Sequence, residues 1–211
     1  MLEGFNYLIH LFYKGGFVMY PLLLCSLLSV MIAVERIFYY RHNGQNGDGL
    51  QTQIHAALDA QDWDEAIAVC NKFDTVVSRT AKAGLLHARS PQLGTMAVKD
   101  AFEERMAVEM TGLKKHLDYL SAIVTMAPLL GLLGTVIGMI GSFSLMDAAS
   151  GGAAAISGGV GEALVATAAG LCVAILAFII HTFFSHQFDN VITATEDLCF
   201  FVLEHKRGEA G

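Results

Sequence analysis

The sequence predicts an all-α membrane protein with three transmembrane helices, the second and third extended into the cytoplasm, and a helical cytoplasmic loop region. Three observations predict it. First, the 211 residues have a mean hydropathy of +0.50 and only 16% are charged, against about 25% in an ordinary soluble domain. Second, the apolar excess is concentrated: twenty uncharged residues lie between Lys14 and Glu35, twenty-eight between Asp118 and Asp147, and twenty-six between Glu162 and Asp189. Each run reaches the length of about 20 residues that a bilayer core requires of a helix. Third, the polar remainder is punctuated by helix starts and stops rather than by strand-like alternation.

Residues 1–14, MLEGFNYLIHLFYK, form an amphipathic segment at the outer interface, with Phe5, Tyr7, Phe12 and Tyr13 at headgroup level. The first span covers 15–40. It is too long for the apolar stretch of a signal peptide, lacks a basic leader and has no small-residue cleavage site before Glu35-Arg36, so it is expected to be retained. HNGQNGDG then breaks the chain.

The cytoplasmic region, 41–118, opens with short amphipathic helices between about Leu50 and Ala88. Asp62 is a candidate N-cap for WDEAIAVCNKF, with Asp64 and Glu65 in the first turn. Ser90-Pro91 reads as a second helix start, and no proline follows until Pro128. One helix is therefore expected from about Gln92 through the second span at 119–146, bent by Pro128. Residues 147–161 form a short periplasmic loop, 162–186 the third span, and 187–211 a cytoplasmic helix and tail.

Lys and Arg fix the expected orientation. Only Lys14 precedes the first span and 147–161 has none, whereas 36–118 carries ten and the tail adds Lys206 and Arg207. The positive-inside rule puts the N-terminus in the periplasm and the C-terminus in the cytoplasm. The net charge of −7 reflects a mixed, solvated helical surface, without the basic block that nucleic acid requires. The four cysteines have no CxxC or metal-ligand spacing and the eight histidines are scattered, so reduced thiols and no metal are expected.

The spans themselves hold the chemistry. Gly131, Gly134, Gly138 and Gly141 recur at 3, 4 and 3 residues, and Ala163, Thr167, Gly170, Ala174 and Ala177 at 4, 3, 4 and 3. In lipid, small residues let helix backbones approach, so each stripe is a packing seam facing the other or a neighbouring subunit. Thr135 and Thr167 stand among them. Each either bonds its own backbone or lines a wet cavity. Glu162 carries a carboxylate at the start of the third span, where it either marks an ion path or sits at the outer interface; Asp147 is assigned to that interface. No Asp or Glu lies mid-span. A hydroxyl can relay a proton but cannot hold one as a charge, so a proton path needs a carboxylate supplied by another chain.

GLLGTVIGMIGSF (131–143) and GGVGEALVATAAGL (158–171), with MYP at 19–21 and AVERIFYYR at 33–41, resemble the signature helices of the MotA/TolQ/ExbB proton-channel family. Three spans with an outside N-terminus resemble its ExbB and TolQ branch. The resemblance implies a homopentamer in a bacterial inner membrane around single-span ExbD/TolR-like subunits whose aspartate carries the proton. A TonB- or TolA-like energy transducer is a further implied partner, and the proton gradient takes the place of a cofactor. On matching positions Thr135 and Thr167 fall on pore-lining threonines and Glu162 on a pore-side glutamate. The chain departs where the family has an AIPA stretch, reading Ala174-Ile175-Leu176-Ala177, and where it has Tyr-Asn, reading His181-Thr182. A non-conducting membrane scaffold is the alternative. An intramembrane hydrolase using Ser142 or Ser144 with His181 lacks a nucleophile motif, and its serines and histidine fall near opposite ends of their spans.

Overall fold

The computed structural model describes residues 10–43, 47–148 and 152–208. These form α1 (Met19–Asn43), α2 (Gly47–Asp59), α3 (Trp63–Lys72), α4 (Val76–Ala88), α5 (Thr95–Lys114), α6 (Leu117–Ala148) and α7 (Gly152–Gly208), with no strand among the described residues. Among the described residues, three helices are long and apolar enough to cross a membrane, within Met19–Arg41, Leu117–Ser144 and Ser157–Gly208. The protein is an all-α membrane protein. Most of the N-terminal interfacial segment, including Phe5 and Tyr7, and the side chain of Asp147 lie outside the described residues; residues 10–14 are helical.

The chain divides into two compact units, one made of residues up to Val34 with His116–Phe183, the other of Glu35–Lys115 with Phe184–Gly211. The first is apolar. Its centre is Val18, Leu22, Ile123, Ala127, Ala174 and Ala177, three of them alanines on α6 and α7. Larger side chains point outward: Leu129, Ile140, Leu164 and Ile179 are each at least 60% exposed. A water-facing surface does not carry contiguous apolar area of that extent, whereas a bilayer requires it.

The second unit has a water-soluble pattern, with Leu50, Ile54, Leu58, Ala66, Val76, Leu85, Val98, Phe102, Leu198 and Val202 inside. Asp62 caps α3, accepting from the Glu65 amide at 2.9 Å. Thr75 and Ser78 close a reciprocal capping box on α4. Gly84 of α4 admits the Phe102 ring of α5, which a Cβ there would strike. The end of α7 is tied down by Gln51 to the Ala194 carbonyl, Lys206 to the Ser90 carbonyl and His55 stacked on Phe201.

Three expectations need correction. Residues 147–161 are not a loop throughout: α6 runs to Ala148 and α7 starts at Gly152, so 147–148 and 152–161 are helical and 149–151 lie outside the described residues. Ser90-Pro91 does not start a helix: residues 90–94 turn, Gly94 is the N-cap without a side-chain bond, and α5 begins at Thr95. Nor does one helix run from Gln92 through the second span. α5 stops at Lys114, and His116 takes a left-handed φ of 69° before α6 begins. That conformation is costly for a non-glycine residue, and it persists because the freed carbonyls are claimed. Arg36, only 1% exposed, donates Nη1 to the carbonyls of Gly112 (3.0 Å) and Leu113 (3.1 Å), and the Tyr40 hydroxyl donates to Leu113. A cation at a helix C-terminus also meets the negative end of its dipole. Glu35 holds the same guanidinium through two bonds of 2.8 Å.

Candidate functional site

The apolar unit brings the two small-residue stripes face to face, antiparallel, with residue pairs stepping along both helices. A Cβ added at Gly170 would lie 2.6 Å from the Ala127 carbonyl oxygen and 3.0 Å from the Gly131 Cα; one at Gly131 would lie 3.1 Å from the Thr167 Cα. At Gly134 it would lie 2.5 Å from the Ala166 Cβ, and at Gly138 3.0 Å from the Gly159 carbonyl oxygen. Ser142 then packs directly on Gly159, its hydroxyl bonded to the Gly138 carbonyl. The close approach runs from Ala127 to Ser142, about four turns of α6, along which larger side chains would hold the backbones apart. Ala163, Ala166, Ala174 and Ala177 are buried along this line, whereas Gly141 faces open space.

The two threonines do different things. The Thr135 hydroxyl donates to the Leu132 carbonyl of its own helix at 2.6 Å. Thr167 reaches across, donating to the Gly131 carbonyl of α6 at 3.1 Å. It is a helix-to-helix bond inside the seam, on a carbonyl that already belongs to a helical backbone.

Glu162 looks elsewhere. Its carboxylate lies against Gly16 in the turn before α1, and a Cβ at Gly16 would land on it. Gly16 has a φ of +69°, the left-handed region that favours glycine. Beside it, Gly15 is packed on Met19 and 3.3 Å, measured from an added Cβ, from the Val165 side chain. A carboxylate there meets the electropositive start of α1. Each of the three polar residues thus engages a different partner: Thr135 its own helix, Thr167 α6, and Glu162 the turn before α1.

Several participants were not assigned these contacts from sequence. Ala166 and Gly159 complete the seam, Ser142 fills its end, and Gly16 receives Glu162. The 3-4 spacing of small residues extends to Ala166 and Gly159, so that signal was present; nothing local marks Gly16 as the partner of a residue far along the chain.

In the polar unit, Glu109 binds Arg79 (2.9 and 3.0 Å) and Arg105 (2.6 Å), and Arg79 also binds Asp74 (2.6 Å). Burial pushes the Glu109 carboxyl up, but the bonds and charges of the two arginines outweigh it and hold it below its ordinary value. Arg79 is raised, chiefly by its bond to Glu109. All four cysteines are free. Cys70 is buried, and burial pushes its thiol up to about 12 against a smaller opposing effect of Lys82, which keeps it unreactive.

Comparison with known proteins places these features in context. Residues 72–197 match the MotA/TolQ/ExbB proton channel family. A Synechocystis biopolymer transport protein described as ExbB-like 1 is 36% identical over 175 residues, covering 80% of this chain and 67% of the relative. The biopolymer transport protein ExbB of Xanthomonas campestris is 31% identical, covering 84% of this chain and 78% of its own length. An ExbB homologue of Methanothermobacter thermautotrophicus is 26% identical over 93% of this chain.

Proposed function

Because this chain belongs to the MotA/TolQ/ExbB proton channel family, a family of membrane channels rather than of enzymes, we propose that it is the channel-forming stator subunit of a bacterial inner-membrane motor. Five copies surround single-span ExbD/TolR-like helices, and the proton motive force drives envelope work such as TonB-dependent uptake or Tol-type envelope maintenance. The N-terminus is periplasmic and the C-terminus cytoplasmic.

One observation carries this reading. The α6–α7 pair is a rigid, closely packed wall whose spans hold hydroxyls at Thr135 and Thr167 yet no mid-span carboxylate. A wall of that kind can flank a proton path but cannot carry the charge along it, so the acid belongs to a partner helix. A proton crossing 100 mV releases about 2.3 kcal/mol, enough to bias one subunit set against the other. Glu162 lies about three turns into α7, which starts at Gly152, on the side assigned to the periplasm, where a carboxylate attracts protons toward the entry.

The test is reconstitution with the single-span partner in vesicles under an imposed proton gradient. Native mass spectrometry should give five copies of this chain. Glu162→Ala, Thr135→Val and Thr167→Val should keep the assembly while lowering proton-driven function, and Glu162→Gln separates charge from size. Full activity in all of these variants overturns the pore assignment. Intact assemblies with no flux under any condition point instead to a scaffold.

A further inference from the structure

A depression of about 360 Å³ lies between α4 and α5 of the polar unit, lined by Arg79, Lys82, Ala83, Leu86 and Arg105. Three of the five are cations and two are apolar, and Leu86 is 42% exposed. Arg79 and Arg105 hold Glu109, but Lys82 has no carboxylate within ion-pair distance among the described residues. Such a surface is complementary to an apolar group flanked by acids.

The same chain presents that combination on α7. Past Phe184 its buried residues are Val191, Thr195, Leu198, Val202 and Lys206, a stripe at helical spacing that engages its own unit and leaves the opposite face open. On the open face lie Asp189, Glu196, Asp197 and Glu204, with Phe200 71% exposed among them. None of these acids is in an ion pair among the described residues. An exposed phenylalanine alone is ordinary. Here it stands one turn from acids on either side, since residues three and four apart are neighbours on a helix, and the matching basic hollow is on the same molecule.

We propose that the α7 face centred on Phe200 docks into the α4–α5 depression of a second copy of this chain. The phenyl ring rests on Ala83 and Leu86, and Glu196, Asp197 and Glu204 meet Lys82 and the outer edges of Arg79 and Arg105. The two patches differ, so each copy offers one and receives the other. That is a heterologous contact, which closes into a ring when its rotation permits. Rim charges of this kind set orientation and suppress wrong partners more than they add affinity. The inference rests on the ring assembly proposed above and supplies a contact outside the membrane that fixes its register.

The test places p-benzoylphenylalanine at position 200, an exposed site that tolerates the larger ring, in the full chain co-expressed with its partner. Illumination should give a cross-linked dimer whose junction maps by mass spectrometry to the peptide containing Ala83 and Leu86. Lys82→Glu should lower that yield several-fold, and Asp197→Lys in the same chain should restore it. Native mass spectrometry on the same sample separates the two ideas. A normal ring with no cross-link, or with one to another segment or to the single-span partner, overturns the docking while leaving the ring assembly standing. Absence of any ring overturns the assembly itself. A yield indifferent to Lys82→Glu removes the charge argument.

Discussion

Gly170→Ala is the sharpest perturbation available, because it adds one methyl at the tightest backbone contact between α6 and α7 that involves no side chain. The new Cβ would lie 2.6 Å from the Ala127 carbonyl oxygen, with the Gly131 Cα at 3.0 Å and its nitrogen at 3.1 Å. Comfortable C···O approaches are about 3.3–3.6 Å, so the helices must separate by roughly 0.7–1.0 Å at this level. All three obstructing atoms are backbone and cannot rotate aside. Overpacking of this sort costs about 1–3 kcal/mol. Alanine also gains about 1 kcal/mol of helix propensity over glycine, which would blur a single measurement. Gly141→Ala and Gly161→Ala share that gain and meet nothing within 4 Å, so they serve as references. The difference between Gly170→Ala and either control isolates the collision: about 1–3 kcal/mol, or roughly 5- to 140-fold in the unfolding equilibrium at 1.4 kcal/mol per decade. The assay is unfolding in mixed micelles titrated with dodecyl sulfate, followed by circular dichroism or a pulse of protease. Equal midpoints for Gly170→Ala and the two controls would refute the backbone-to-backbone seam.

Three further outcomes follow from contacts described above. Thr167→Val removes the bond to the Gly131 carbonyl and should cost about 0.6–1.7 kcal/mol in the same titration, the range of interhelical hydrogen bonds in membranes; Thr135→Val, bonded only to its own helix, should stay within about 0.5 kcal/mol of the parent. Arg36→Ala strands the Gly112 carbonyl, leaves the Leu113 carbonyl to the Tyr40 hydroxyl alone, and should destabilise the polar unit by about 3 kcal/mol, with faster amide exchange at Lys115 read by mass spectrometry; Arg36→Lys should recover only part, since one ammonium cannot hold Glu35 bidentately and both carbonyls. The Glu109 carboxyl is depressed below its unfolded value of 4.5, so the native state binds fewer protons there. Its stabilisation is present above that value and is lost as pH falls through the native pKa. Denaturant unfolding monitored by Trp63 fluorescence should show the parent losing stability as pH falls through this range while Glu109→Gln, less stable at neutral pH, stays flat, so that the difference between the two closes in acid.

The three apolar helices and the Asp62 cap were legible because they depend on local pattern: long charge-free runs, and an acceptor three residues before an amide that needs one. The small-residue stripes were legible as stripes. That they meet each other within one chain was not, since spacing shows a face but not its partner. The break at Lys115–His116 was invisible for a related reason. LKKHLDYL has neither glycine nor proline, and what ends α5 is Arg36, whose bonds reach 76 and 77 residues along the chain. Ser90-Pro91 misled because a sound local start signal was overridden: the Ser90 carbonyl is engaged by Lys206 from α7, and α5 begins where an uncapped glycine allows it. Glu162 was recognised by type and position, but its contact with Gly16 depends on a left-handed turn that only the folded chain displays.

The distance in sequence between Arg36 and its carbonyls also has a meaning in time. A ribosome adds about 5–20 residues per second, so the roughly 77 residues separating donor from acceptors take on the order of 4–15 s to appear. During that interval the first apolar helix has already been made, and its guanidinium has no α5 to cap. Glu35 is the neighbour that exists from the start, bound through two bonds of 2.8 Å to the next residue in the chain. The pair can hold each other's charge while the nascent chain lengthens, and Arg36 then keeps that partner while Nη1 takes the two carbonyls. Glu35 is in this sense a chaperone carried one residue away, and its loss should show in the yield of newly synthesised protein before it shows in the stability of the finished fold.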